Sequence, residues 1–213
     1  MVKFYCTHYT KLENRKPILV EAFNTNGIQV EWIEDEPTLD CPRHITKNQQ
    51  SSIHKHYVAL TRFIEQDECD LAVVFEDDVM IDNNFNQYFN QVLKEIDGLK
   101  FDFISLGNVS IFDNNPEYAV MAPTLNQLVY IGDWKTTACA HAMLFTKDFA
   151  KKCVEKFNYQ DPFDIYINWI IRNTGAIVGR TFPYLKQRTI DGDWASAIPT
   201  DCNGYSSWYG GKK

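Results

Sequence analysis

Residues Leu71–Ile81 read LAVVFEDDVMI, an apolar run broken by three consecutive acids before the chain turns apolar again. An unbroken apolar stretch of this length suits a strand covered on both faces of a sheet. The acids then fall at its carboxyl end. Adjacent carboxylates repel, and holding them near a sheet costs desolvation unless something positive compensates. A divalent cation is one compensator. A solvated turn leading into the next helix, with Asp82 close behind, is the other.

Outward from this strand the pattern is regular. Before it, SSIHKHYVALTRFIEQ places Ile53, Tyr57, Leu60 and Ile64 at helical spacing. Earlier still, VKFYCTHY is a strand and RKPILVEAFNTNG a helix. In that helix Pro17 sits near the start, Ile18, Ala22 and Phe23 share a face, and Gly27 follows the end. IQVEWIED is a second strand, and residues 36–48 read as loop. After the acids, Asp82 and Asn83 are placed to cap FNQYFNQVLKEI, and FDFISLG is a strand. Residues 108–136 look irregular. ACAHAMLF predicts a strand, KDFAKKCVEKF and DPFDIYINWIIRNTG helices, and AIVGRTFPYL a last strand. Alternating strands and helices predict an α/β sandwich around a mixed, mainly parallel sheet.

Composition narrows the function. The chain has 213 residues, 45% of them hydrophobic, enough for one domain with a sizeable core. A formal net charge of −7 speaks against nucleic acid and against docking on anionic lipid. No apolar run is long enough to span a membrane, and the N-terminus turns polar too early for a signal peptide. Six cysteines without a CxxC pair point to reduced thiols and a cytoplasmic setting. The tail NGYSSWYGGKK leaves open whether the chain is complete or a fragment of a longer one.

In open α/β sheets ligands bind outside the carboxyl ends of the strands. Glu76, Asp77 and Asp78 lie at such an end, as do Thr7, His8 and Tyr9 after the first strand and Glu34 and Asp35 after the second. Clustered hard oxygen donors suit Mg²⁺ or Mn²⁺. Neither a Walker lysine motif nor a GxGxxG loop is present, so phosphates would be held through the metal and scattered donors. Lys55 is a candidate phosphate neutraliser, whereas His54 and His56 read as solvated or core-rim histidines. His141 interrupts an apolar run and is either a later metal ligand or a hydrogen-bonded interior histidine. Asp161 reads as the cap of a helix with Pro162 at its first position. Asp164, in the first turn, should be kept ionised and weakly basic by the helix dipole. Asp191 and Asp193 flank Gly192 beside Trp194, and Trp134 follows Asp133; aromatics next to acids in late loops suit sugar stacking.

The combination SSIHKHYVALTRFIE, AVVFEDDV and FDFISLG resembles the lipopolysaccharide-type glycosyltransferase family, nucleotide-sugar enzymes with the GT-A fold and a DxD-type metal motif. ACAHAMLFTKDFAKK and DPFDIYIN are similar to later segments of that family. The departures are Lys55-His56 where the family has Ser-His, and His141 where it has a tyrosine. A free-standing glycosyltransferase domain of a large algal virus, acting on capsid glycans, would look the same. The resemblance implies a uridine diphosphate (UDP) sugar as donor and a divalent metal, with Mn²⁺ favoured over Mg²⁺. It makes Asp78 the direct metal ligand, sets Glu76 towards the ribose or a metal-bound water, and puts Asp77 between them as an outer or sugar contact. Thr7, His8, Tyr9 and Asp35 would form the nucleoside pocket, and Asp164 would face the acceptor, with Asp191 as the second candidate there. The donor-binding part would be about residues 1–107 and the acceptor side about 108–213 of a single domain.

The expected activity is therefore transfer of a hexose (glucose, galactose or rhamnose type) from a UDP-sugar to a glycan or glycoprotein. A metal-dependent phosphohydrolase or nucleotidyltransferase using the same acids is the second enzyme class. A carbohydrate-binding module with a vestigial site is the non-catalytic alternative.

Overall fold

The computed structural model describes residues 1–37, 45–107, 127–132 and 140–187. Among these residues, seven strands form one sheet in the order β2-β1-β3-β6-β4-β7-β5. They are β1 (Val2–Thr7), β2 (Val30–Ile33), β3 (Leu71–Glu76), β4 (Phe103–Gly107), β5 (Val129–Gly132), β6 (Ala142–Thr146) and β7 (Val178–Leu185). Strands β2, β1 and β3 run parallel, β6 enters antiparallel between β3 and β4, β7 runs parallel to β4, and β5 closes the edge antiparallel to β7. Five strands thus share one direction and two reverse it, the mixed α/β sheet that the sequence predicts. The edge strand β5 falls in a stretch that reads as irregular. Its signal was the short apolar run LVYIG, too brief to separate from loop by periodicity.

Helices cover both faces. α1 (Arg15–Thr25) and α3 (Phe85–Ile96) lie on one side; α2 (Lys47–Ile64), α4 (Lys147–Glu155) and α5 (Phe163–Thr174) lie on the other. The strand pleat divides β3 between the two cores. Ala72 and Val74 pack with Leu60, Phe63 and Phe149, whereas Val73 and Phe75 pack with Phe23, Phe85 and Phe89. Burial of the large side chains contributes about 1.5–3 kcal/mol each, which explains why both faces of β3 are apolar.

Local signals account for most boundaries. Thr46 and Gln49 form a reciprocal capping box that starts α2 at Lys47, earlier than its apolar stripe suggests. Gly27 and Gly175 follow α1 and α5 with positive φ, as helix-ending glycines do. Three expectations are corrected. In α1 the buried stripe is Leu19 and Phe23, and Ile18 is exposed. α3 has Asn84 at its cap with no side-chain bond; Asp82 instead accepts from the Asn84 N–H at 2.8 Å in a local turn. Pro162, rather than Asp161, occupies the cap position of α5, and no side chain caps that helix.

Among the described residues no helix is long and apolar enough to cross a membrane. Cys6, Cys69 and Cys153 are buried free thiols.

Candidate active site

The parallel register of β1 and β3 pairs Thr7 with Glu76. That pairing sets His8 and Tyr9 beside Asp77 and Asp78, at the carboxyl ends of two adjacent strands. After Glu76 the chain turns tightly, Val79 N–H donating to the Glu76 carbonyl at 3.2 Å, and Met80 N–H then pairs with the Lys186 carbonyl at 2.8 Å. The acids therefore occupy a short turn pinned on both sides. A cleft of about 120 Å³ opens there, lined among others by Thr7, Tyr9, Arg15, Lys55, Glu76, Asp78 and Gln187. Typical ligand pockets hold about 300–1,000 Å³, so this cleft is a polar, charged niche smaller than a typical whole-ligand pocket.

The three acids have separate environments. Asp77 is the hub of a buried network. Its Oδ1 accepts from Arg15 Nη1 at 2.6 Å, and its Oδ2 accepts from His8 Nδ1 and from the Tyr9 backbone N–H, each at 2.9 Å. Burial raises the Asp77 pKa, but the hydrogen bonds from His8 and Tyr9 and the Arg15 charge together outweigh it and hold the carboxyl below its usual range. With its lone pairs so engaged, Asp77 is placed to fix the β1 loop rather than to touch a sugar.

Asp78 is also buried, and its Oδ2 accepts from Gln187 Nε2 at 2.8 Å in the cleft wall. Glu76 is more open; its Oε1 accepts from His56 Nε2 at 3.1 Å and from Ser52 Oγ at 3.2 Å. The field of all three acids reaches the neighbouring Cys6 thiol, whose pKa is raised by burial first and then by Asp77, Asp78 and Glu76.

Two cations face the acids. Lys55 is buried, bonded to Glu36 at 2.5 Å and to Ser51, with its ammonium 5.6 Å from the centre of the Tyr9 ring. Arg15 begins α1 and is buried as well. Thr7 donates to the Phe75 carbonyl at 3.3 Å.

The other sequence candidates lie elsewhere. Asp35 accepts from Arg62 at 2.9 Å on the exposed side of β2, outside the residues lining the cleft. His141 is fully buried, and its Nε2–H donates to the Leu185 carbonyl at 2.8 Å. Its ring lies over Gly107, where an added Cβ would come within 2.3 Å of Nε2. Of the two readings open for His141, this burial and hydrogen bond favour the interior histidine over the metal ligand. His54 bonds Tyr159 at 2.9 Å.

Asp164, in the first turn of α5, is half-buried, enough to cost its charged form much of its hydration, and accepts from the Ile165 N–H at 2.9 Å. Burial, aided by the Glu76 charge and opposed by that N–H and His56, raises its pKa to about 6. This reverses the expectation that the helix dipole would keep Asp164 weakly basic. Asp164 thus feels the charges of Glu76 and His56, but it does not line the described part of the cleft. Asp191, Asp193, Trp194, Asp133 and Trp134 lie outside the described residues.

Among the described residues no three His, Cys, Asp or Glu side chains converge tightly enough to hold a metal ion unaided. Mg²⁺ and Mn²⁺ sites of the substrate-bridging kind need only one or two protein carboxylates, because phosphates and waters complete the shell. Asp78 and Glu76 supply that many hard oxygen donors at one cleft, so the residues present fit such an ion.

Residues 13–129, more than half of the chain, match glycosyltransferase family 25 (LPS biosynthesis protein). The chain belongs to this family. The match spans α1 to the first residue of β5 and so includes the acids, α2 and Arg15. No curated protein matches the chain significantly. Among solved structures, a glycosyltransferase involved in the glycosylation of the major capsid of PBCV-1 aligns over 70% of this chain and 62% of its own, at 11% identity and TM-score 0.43. A197 from STIV aligns over 84% and 80%, at 13% identity and TM-score 0.46. The inositol-1-phosphate CTP transferase from T. maritima aligns over 89% and 69%, at 11% identity and TM-score 0.42. This chain spans less than two thirds of the PBCV-1 enzyme's length.

Arg15, His56 and Gln187 are the site residues that sequence reasoning missed. Neither Arg15 nor Gln187 stands in a motif that marks it in the sequence. His56 stood in the family's Ser-His position but off the apolar stripe of α2.

Proposed function

We propose that the protein transfers a hexose from a UDP-sugar to a glycan or glycoprotein acceptor, with Mn²⁺ or Mg²⁺ bound at Asp78 and Glu76. One observation carries this reading: a family 25 chain sets two carboxylates and two buried cations around one cleft. Lys55 and Arg15 offer positive charge to the phosphates, and the loop after β1 borders the same cleft on the nucleoside side. Bound there, the divalent ion would offset negative charge developing on the diphosphate leaving group. The residues themselves bind and orient: Gln187 holds the Asp78 carboxylate, and Asp77 holds the loop carrying His8 and Tyr9.

The test is incubation of the protein with UDP-glucose, UDP-galactose and UDP-rhamnose, with and without Mn²⁺. Water in an empty acceptor site should slowly release free sugar together with UDP, and a chelator should return the rate to background. Release of uridine monophosphate with sugar phosphate would assign the acids to diphosphate cleavage instead.

Asp164 is the candidate base for the acceptor hydroxyl. A carboxyl with a pKa near 6 is a stronger base than an ordinary aspartate and is still mostly ionised at neutral pH. Asp164→Asn should leave donor affinity within a few-fold and cut transfer by about 10²-fold or more. In the parent protein, transfer should decline as pH falls through about 6, where Asp164 takes up its proton. Full transfer by the Asn variant would move the role to Asp191.

A further inference from the structure

Metal-side and acceptor-side carboxylates belong to different elements, Glu76 to β3 and Asp164 to α5, and something must hold them in register. His56, on α2, contacts both elements, through Glu76 and through Phe163. Its ring is fully buried and lies flat on Phe163, the first residue of α5, with centroids 4.0 Å apart and planes 6° apart. Its Nε2 is 3.1 Å from Glu76 Oε1. A carboxylate can only accept, so the ring donates that hydrogen bond. Ser52, one turn earlier on α2, bonds the same oxygen at 3.2 Å, and the two donors together restrict the Glu76 side chain.

Packing does not explain an imidazole here. His56 Nδ1 is buried without a hydrogen-bond partner among the described residues. A buried polar atom left unpaired is destabilising, and a phenylalanine would stack on Phe163 without that cost. What the histidine adds is the N–H directed at Glu76. Residues that orient a metal-binding carboxylate in this way act on ligand affinity without touching the ligand.

We propose that His56 is a positioning residue that fixes Glu76 for the metal and donor while registering the Asp164-bearing helix against the metal strand. The proposal rests on the donor and metal reading above. Two substitutions separate its two contacts. His56→Phe keeps the flat contact with Phe163 and removes the N–H. His56→Gln keeps an amide N–H within reach of Glu76 and removes the ring.

Isothermal titration of UDP with and without Mn²⁺, together with transfer kinetics on the donor that the parent protein accepts, reads both. His56→Phe should weaken metal-dependent UDP binding by about tenfold or more with no fall in thermal midpoint. His56→Gln should keep UDP affinity within about threefold while kcat drops by about tenfold, as α5 loses its stacking partner. The proposal is overturned if both variants match the parent in affinity and kcat. It is equally overturned if both properties fall only in proportion to lost folded protein, which is what a purely structural histidine would give. Parent protein that binds no UDP in the presence of Mn²⁺ would overturn the donor and metal reading itself, and the positioning role with it.

Discussion

Asp77→Asn should lower stability by about 3–5 kcal/mol, the usual result of removing one partner of a buried ion pair. For a domain of this size that corresponds to a fall of roughly 6–20 °C in thermal midpoint. The reason lies in what the substitution strands. Arg15 and the Asp77 carboxyl are both buried and 2.6 Å apart, and the amide would leave the guanidinium without its counter-charge. The amide NH₂ would also face a donor, either Arg15 or His8 with the Tyr9 N–H. The pH dependence has a definite sign. The folded-state pKa of Asp77 is depressed, so its contribution is complete above the unfolded value of about 4 and is lost as pH falls through the folded value. Parent and variant should therefore differ most at neutral pH and converge in acid. An unchanged melting curve, with loss of metal-dependent UDP binding, would return Asp77 to the ligand-binding set.

The difference between Asp77 and its neighbours marks where sequence reasoning stops. The apolar run of β3 and the helical spacing of α2 follow from local chemistry, and the structure places both elements as the sequence predicts. Convergence of the loop after β1 with the acids follows from the rule about strand ends, and the Thr7–Glu76 register realises it. Which acid does what is another matter. It depends on Arg15, 62 residues before Asp77 and at the start of α1, and no local pattern reports such a partner. His141 shows the same limit from the opposite side. Its polarity within an apolar strand looks functional, but Gly107 and the Leu185 carbonyl provide its slot. β6 entering antiparallel beside β3 was hidden as well, because strand order is a long-range property. Asp164 illustrates competition between effects: helix position and burial push its pKa in opposite directions, and only the packed structure reveals that burial and Glu76 prevail.

Asp78→Ala should abolish metal-dependent UDP binding while leaving the fold intact. In the parent, UDP with Mn²⁺ at a hundred times its dissociation constant should stabilise the protein by about 2.7 kcal/mol. That is a shift of roughly 5–11 °C in thermal midpoint, and the variant should show none of it. The unliganded melting curve should barely move, because two effects oppose one another. Loss of the Gln187 hydrogen bond at 2.8 Å costs about 1 kcal/mol, whereas deletion of one of three adjacent negative charges relieves repulsion that the β3 turn otherwise carries. This makes Asp78 the counterpart of Asp77: one acid whose removal harms the fold, and the next whose removal harms only the ligand. The contrast explains why a buried strand should end in consecutive acids. The middle one ties the turn to β1 and α1 through buried hydrogen bonds, and that anchoring holds the flanking pair at the cleft, where a cation can offset their charge. An Asp78→Ala protein that retains the full metal-dependent shift would remove Asp78 from the metal site and leave the acids as a structural turn.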